Sequence, residues 1–233
     1  MDSNNTFTLA VSISGVDLSD VELVDTTALD VPAMVLSDSL AITAAGITQA
    51  GALIVGGTTT LSAGSANDIT LSTASNNFVG AVSIGSADDV TLTDGVGTLS
   101  FGTSTISGNM TVTSSGAITD SGVITANGAG KTATFIAGSS NDITLDGTGT
   151  GDDFTSIVIT SGNNVTIVDS NAINFGTGTS TVTGALTVTT EGEITDSGAV
   201  VVTGLTTLDT DRANDGSPYD IILDHTSNNF SAV

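Results

Sequence analysis

The side chains able to do polar chemistry in this 233-residue chain are overwhelmingly carboxylates. There are 25 Asp and Glu against two strong bases, Lys131 and Arg212, one histidine, His225, and no cysteine. Carboxylates can move protons at a glycosidic bond, gather a hard cation, or accept hydrogen bonds in turns. The first use needs them clustered with Arg, Lys or His, which stabilise charge developing on the sugar. Lys131 and Arg212 fall at non-equivalent places of a repeating chain, and His225 follows Asp224 with no serine or cysteine motif around it. A polysaccharide-active enzyme is therefore the remotest reading, His225 reads as a surface corner, and no catalytic residue is assigned. No GxxxxGK[ST] loop is present to cradle a nucleotide, so no cofactor-binding residue is assigned.

Cation binding has one specific candidate. If coils stack about 5 Å apart, Asp68 of "NDI" lies beside Asp89 of "DDV", and calcium takes six to eight oxygens. In the following copy the same pair is Asp142 and Asn164, which needs no cation, and the Gly-Gly-x-Gly-x-Asp nonapeptide of calcium-binding β-rolls is absent. No metal ligand is assigned; structural calcium is the one cofactor left open, against a default of a solvated acidic face. Phe78, Phe154 and Phe230, with Phe101 and Phe175, could form an aromatic stripe. Three coils apart they would sit about 14 Å from one another, too far to stack, so they read as core or corner plugs. Threonine-rich outer faces invite comparison with ice-binding solenoids. Gly, Ser and Asp interrupt them too often for a regular Thr-x-Thr surface.

Charge excludes other classes. A formal net charge of −23 is incompatible with binding a phosphate backbone or docking on an anionic membrane. Hydrophobic residues make up 39% of the chain, in short alternating runs, so the acidity belongs to a folded protein rather than a disordered one. No apolar run is long enough for a membrane helix, and the first 30 residues show no secretory signal.

The elements that must position these residues come from repetition. "NDITL" occurs at 67–71 and 141–145, with "YDIIL" at 219–223; "MTVTSSGAITDSG" at 110–122 answers "LTVTTEGEITDSG" at 186–198, with a worn copy "LAITAAGITQAG" at 40–51. "FGTSTISG" at 101–108 answers "FGTGTSTVTG" at 175–184, and Phe7, Phe78, Phe154 and Phe230 keep the period. The units are 7–77, 78–153 and 154–229, and a fourth begins at 230–233. Runs such as "ALTVTT" and "NVTIVD" alternate with period two and are rich in β-branched residues, which marks strands. Helix formers are scarce, and "GSADD", "SSG", "ANGAG" and "TSGNN" supply sharp corners. Runs opening at Ile69, Val90 and Ile118, then Ile143, Val165 and Ile194, predict three coils per unit. The fold is all-β: a parallel β-helix, or β-solenoid, of about nine coils in one domain. An antiparallel sandwich would explain the alternation but not the copying of whole units.

The motifs "NDITL", "NNFVGAVSI", "DDVTLTD" and "FGTSTISGNMTVTSSGAITDSG", with their second copies, resemble the β-strand repeats of giant bacterial surface adhesins, the filamentous-haemagglutinin-like proteins. The resemblance implies a right-handed β-helix, an extracellular or cell-surface location, and a role as stalk, fibre or adhesin. It brings no catalytic residues. The expected function is a structural β-solenoid that forms or extends a cell-surface filament. The alternative is an adhesin segment recognising a glycan or protein on a host or neighbouring cell. "SNNFSAV" at 227–233 and "SNNTFTLAV" at 3–11 both open a unit, so the expected partner is self, stacked head to tail. Neither nucleic acid nor membrane insertion is expected.

Overall fold

The computed structural model describes residues 11, 13, 18–213, 216 and 218–232. They form 28 short strands, every pairing between them parallel. Among the described residues the one helical element is a 3₁₀ turn at Gly147–Gly149. The parallel β-solenoid expected from the repeats is what the chain builds.

Three strands make one turn, and the chain winds over three faces in constant order. Face I starts with Val21–Val24, Leu40–Thr43 and Thr59–Ser62; face II with Leu29–Val31, Ile47–Gln49 and Ile69–Leu71; face III with Met34–Leu36, Leu53–Val55 and Asn77–Phe78. The strand Val200–Asp209 bends across two faces, pairing with Ser180–Val182 at one end and Leu186–Thr189 at the other. The rod has between nine and ten turns, at a strand spacing that makes it about 45 Å long. Turns vary from eighteen residues (Leu29↔Ile47) to twenty-eight (Thr125↔Asp153) because the corners differ in length.

Alternation along each strand sends one residue in two to the core. On face II, Ile69, Val90, Met110, Ala133 and Ile157 stack in register and are fully buried. Each such Val, Leu or Ile contributes about 1.5–3 kcal/mol of burial, and no single turn has enough of them to fold alone. The outward neighbours Thr70, Thr91, Thr111 and Thr134 stack in single file on the same strands. A second file stands on face III, with Thr119, Thr144, Thr166, Thr187 and Thr207. The face II file ends at Val158 and its parallel column meets Ile136, so no flat two-column threonine surface results. Where chain passes close over chain, only glycine fits: a Cβ on Gly95 would lie 1.7 Å from the Ala74 carbonyl oxygen.

The pairing corrects the expected three coils per unit. Ile69 does lie under Val90, but the next strand on that face opens at Met110, while Ile118 sits between Leu99 and Ile143 on face III. From Phe78 to Phe154, and again from Phe154 to Phe230, the chain therefore passes ten strand positions, which is three turns and a third. As a result, "NDITL" at Ile69 is on face II, its copy at Ile143 on face III, and "YDIIL" at Ile221 on face I. Successive units are turned by one face. The hydrogen-bonded sheets record this step, because the twelve-stranded and ten-stranded sheets each cross a corner. At Val82–Ser86, Val82 pairs with Phe101 and Ala87 bridges to Ile106; at Ser156–Ser161, Ile157 pairs with Phe175 and Gly162 bridges to Val182.

The phenylalanines follow the same rule. Phe78, Phe154 and Phe230 lie on three different faces, so they form no stripe. Phe78, Phe101, Phe154 and Phe175 are buried core plugs, and Phe154 meets Phe135 edge-to-face at 5.9 Å. Phe230 is half-buried, and Phe7 lies outside the described residues.

Candidate functional site

The carboxylates first organise the corners. At the corner entering a strand, an Asp or Asn side-chain oxygen accepts the backbone N–H of the next turn. Asp20 accepts from Ser39 (3.1 Å), Asp68 from Asp89 (3.2 Å), Asp89 from Asn109 (2.6 Å) and Asn109 from Thr132 (3.1 Å). Asp142, the copy of Asp68, accepts from Asn164, and Asn164 from Ala185, both at 3.0 Å. The Asn164 N–H holds Asp142 below the usual carboxylate range, with the amides of Asn163 and Asn164 adding to it. Asp68 and Asp89 are thus neighbours on adjacent turns as expected, with an oxygen of each engaged by backbone. Among the described residues no group of three or more His, Asp or Glu is placed to hold a metal ion.

A second set of polar side chains points inward. Asp25, Asp94 and Asp169 close the strands "VELVD", "VTLTD" and "VTIVD", and each accepts the N–H two residues on. Two residues before Phe78, Phe154 and Phe230 stand Asn76, Asp152 and Asn228. They accept the N–H of Leu53 (2.9 Å), Ile124 (2.7 Å) and Val200 (2.8 Å) respectively. The Asn76 amide also donates to Leu71 and Thr93 carbonyls and to Gln49 Oε1. Asp152 has no such donor when ionised, and its Oδ2 is buried without a partner. Burial pushes Asp152 up to about 8, with the Asp120, Asp169 and Asp146 carboxylates adding to the effect. Burial likewise pushes Asp169 up to about 7, although Phe154 and Asn171 donate N–H groups to it. Asp94 and Asp120 are also raised, mainly by burial.

Of the few bases, Arg212 lies near enough to Asp169 to favour its charged form. Lys131 Nζ lies 3.9 Å from Asp89, and Arg212 Nε lies 3.9 Å from Glu191 while its Nη1 reaches the Gly149 carbonyl. His225 sits in a turn, its N–H on Asp196 and its Nδ1 accepting from Ser227. One groove, of about 410 Å³, is lined by Asn127, Asp153, Thr155, Asn171, Ala172, Ile173, Asn174, Glu193 and Thr195 and contains no base. Its amides are partly spent on Asp153, which accepts from Asn127 (2.7 Å) and Asn171 (2.9 Å). A smaller hollow of about 250 Å³ adjoins it through Thr155 and Asn174, with Lys131 in its lining.

Reasoning from the sequence missed the buried Asp152 and Asp169. The signal is present in "SNNF", "GDDF" and "SNNF" at 75–78, 151–154 and 227–230, where only the middle copy is acidic. No curated protein and no solved structure matches the chain. A family model described as repeats of unknown function, DUF5649, matches residues 18–85, 87–161 and 162–233. Those three segments span nearly all of the rod, and each carries the same corner acceptors and core plugs, so the chain belongs to the DUF5649 family of repeats.

Proposed function

We propose that this chain is an extracellular structural β-solenoid that extends a cell-surface filament by the stacking of repeats. One observation carries the reading: the polar side chains are spent on joining turn to turn. Corner Asp and Asn bond the next turn's backbone across unit boundaries as they do within units. A rod held this way tolerates any number of further turns, and its surface acidity keeps neighbouring rods apart in solution. Among the described residues no helix is long and apolar enough to cross a membrane. Surface labelling tests the location: antibody and protease should reach the repeats on intact cells, and access only after permeabilisation overturns it. Electron microscopy tests the architecture, since purified protein should give rods whose length scales with the number of units. No resident cofactor is proposed; chelation of calcium should leave the melting temperature unchanged.

The groove through Asn174 and Glu193 favours a second reading, an adhesin segment that binds a surface glycan through amide and carboxylate hydrogen bonds. Glycan-array binding lost on Asn174→Ala would support it, and an empty array would remove it. A polysaccharide-active enzyme has less support, because neither Lys131, Arg212 nor His225 lines the larger groove with Asp153 and Glu193.

A further inference from the structure

We propose that the strand Ile221–Ile222 seats the strand Val21–Val24 of a second copy in the register Ile221↔Val21, so that copies add end to end without rotation about the rod axis. The proposal rests on the stacking reading above and names the joint. Inside the molecule the same joint is made twice. "NDITL" is covered by "VTLTD", with Ile69↔Val90, Thr70↔Thr91 and Leu71↔Leu92. Its copy is covered by "VTIVD", with Ile143↔Val165, Thr144↔Thr166 and Leu145↔Ile167. The third member of the first series is "YDIIL" and the first member of the second is "VELVD" at 21–25.

These two strands are less covered than the copies that make that joint inside the molecule. Ile69 and Ile143 are fully buried, whereas Ile221 and Ile222 are 45% and 46% exposed. Val90, Leu92, Val165 and Ile167 are buried, whereas Val21 and Leu23 are only half-buried. The corner acceptors match as well. Asp68 accepts the N–H of Asp89 and Asp142 that of Asn164, and the equivalent pair is Asp220 with Asp20 of the second copy.

Phase sets the rotation between copies. Each unit turns the pattern by one face, so three units complete ten turns and return it to the start. Ile221 lies on face I, and Val21 lies on face I too, so the second copy continues the rod with its faces aligned. A chain of one or two units would add its second copy rotated by one or two faces about the rod axis. Both sides of the joint are acidic, with Asp220 and Asp224 meeting Asp20, Glu22 and Asp25, so association strengthens as salt screens the repulsion.

A disulfide reads the register directly. Paired parallel strands place Cα atoms about 4.8 Å apart, within disulfide reach. The chain has no cysteine, and positions 22 and 222 are near opposite ends of the rod, so a bond between them links two copies. The double variant Glu22→Cys with Ile222→Cys, mildly oxidised at high salt, should give a ladder of covalent oligomers. Glu22→Cys with Asp224→Cys, shifted by two residues, should stay monomeric. Circular dichroism confirms that both variants fold. Equal linking in the two variants, or none in the first while sedimentation shows the unmodified protein assembling, overturns the register and leaves the filament reading standing. Unmodified protein that stays monomeric at all concentrations and salts overturns the second copy as occupant.

Discussion

Two places in the rod are copies of each other and have opposite electrostatics. Asn76 in the first unit faces Gln49, and the two amides exchange hydrogen bonds of 2.8 and 3.0 Å. Asp152, its copy, faces Asp120, the copy of Gln49 in "ITDSG". The result is two carboxylates where the first unit has two amides, and the Asp120 charge raises the proton affinity of Asp152 beyond the effect of burial. The third unit mixes the types: Asn228 donates to Asp196 at 2.6 Å. The same backbone thus carries amide–amide, acid–acid and amide–acid pairs. The middle pair fits only while a proton remains on it, because a protonated Asp152 can donate as the amide does.

Making the first place like the second should have the largest effect. Asn76→Asp puts a carboxylate among the Leu71, Thr93 and Gln49 oxygens that the amide now bonds, in a site with no exposure to water. The expected loss is about 3–5 kcal/mol at neutral pH, measured by chemical denaturation, and smaller under acid conditions. A loss below 1 kcal/mol would mean that the slot rearranges freely and that the comparison has no energetic content.

The reverse change should stabilise. Asp152→Asn restores the donor and is expected to gain about 1–3 kcal/mol near pH 8 and almost nothing near pH 4. The sign follows from linkage. Folded Asp152 holds its proton up to about 8, above the 3.8 of the unfolded chain, so its contribution is complete below pH 4 and lost as pH rises toward 8. Asp169, raised to about 7, loses its contribution over a similar window, with Asp153 opposing its ionisation and Arg212 favouring it. The unmodified protein should therefore melt at progressively lower temperature from pH 4 to pH 8, and Asp152→Asn should flatten part of that slope. Parallel slopes for the two proteins would show that general charge repulsion, not this pair, governs the pH dependence.

Much of the fold is legible in the residues alone. Period-two runs and Gly-Asn-Asp corners specify the parallel solenoid, and the copied "ITDSG" and "NDITL" mark the units. What stays hidden depends on where turns close. Gln49 meets Asn76 across 27 residues and Asp196 meets Asn228 across 32, because corners absorb different lengths. Ile118 reads as the start of a third coil on the face of Val90, but three strands, Leu99–Phe101, Ser104–Thr105 and Met110–Ser114, intervene, and the third of them takes the place over Val90 and leaves Ile118 on another face. An alternation pattern says which residues point inward. It does not count the strands between two inward residues, and that count decides which carboxylates meet.

The third place sharpens the comparison by changing only solvent access. Asn228→Asp recreates the acid–acid pair of Asp152 and Asp120, now opposite Asp196. Here the site is half-open: Asn228 and the neighbouring Phe230 are only partly buried, where Asn76 and Phe78 are fully buried. Water can solvate both charges, so the expected loss is about 0.5–1 kcal/mol, and it should shrink further as salt screens the pair. The N–H of Val200 still needs an acceptor, and a carboxylate supplies one as well as the amide oxygen does. A loss as large as that of Asn76→Asp would mean that the pairing geometry, rather than exclusion of water, sets the cost. The raised proton affinity of Asp152 would then belong to the Asp120 contact more than to its burial.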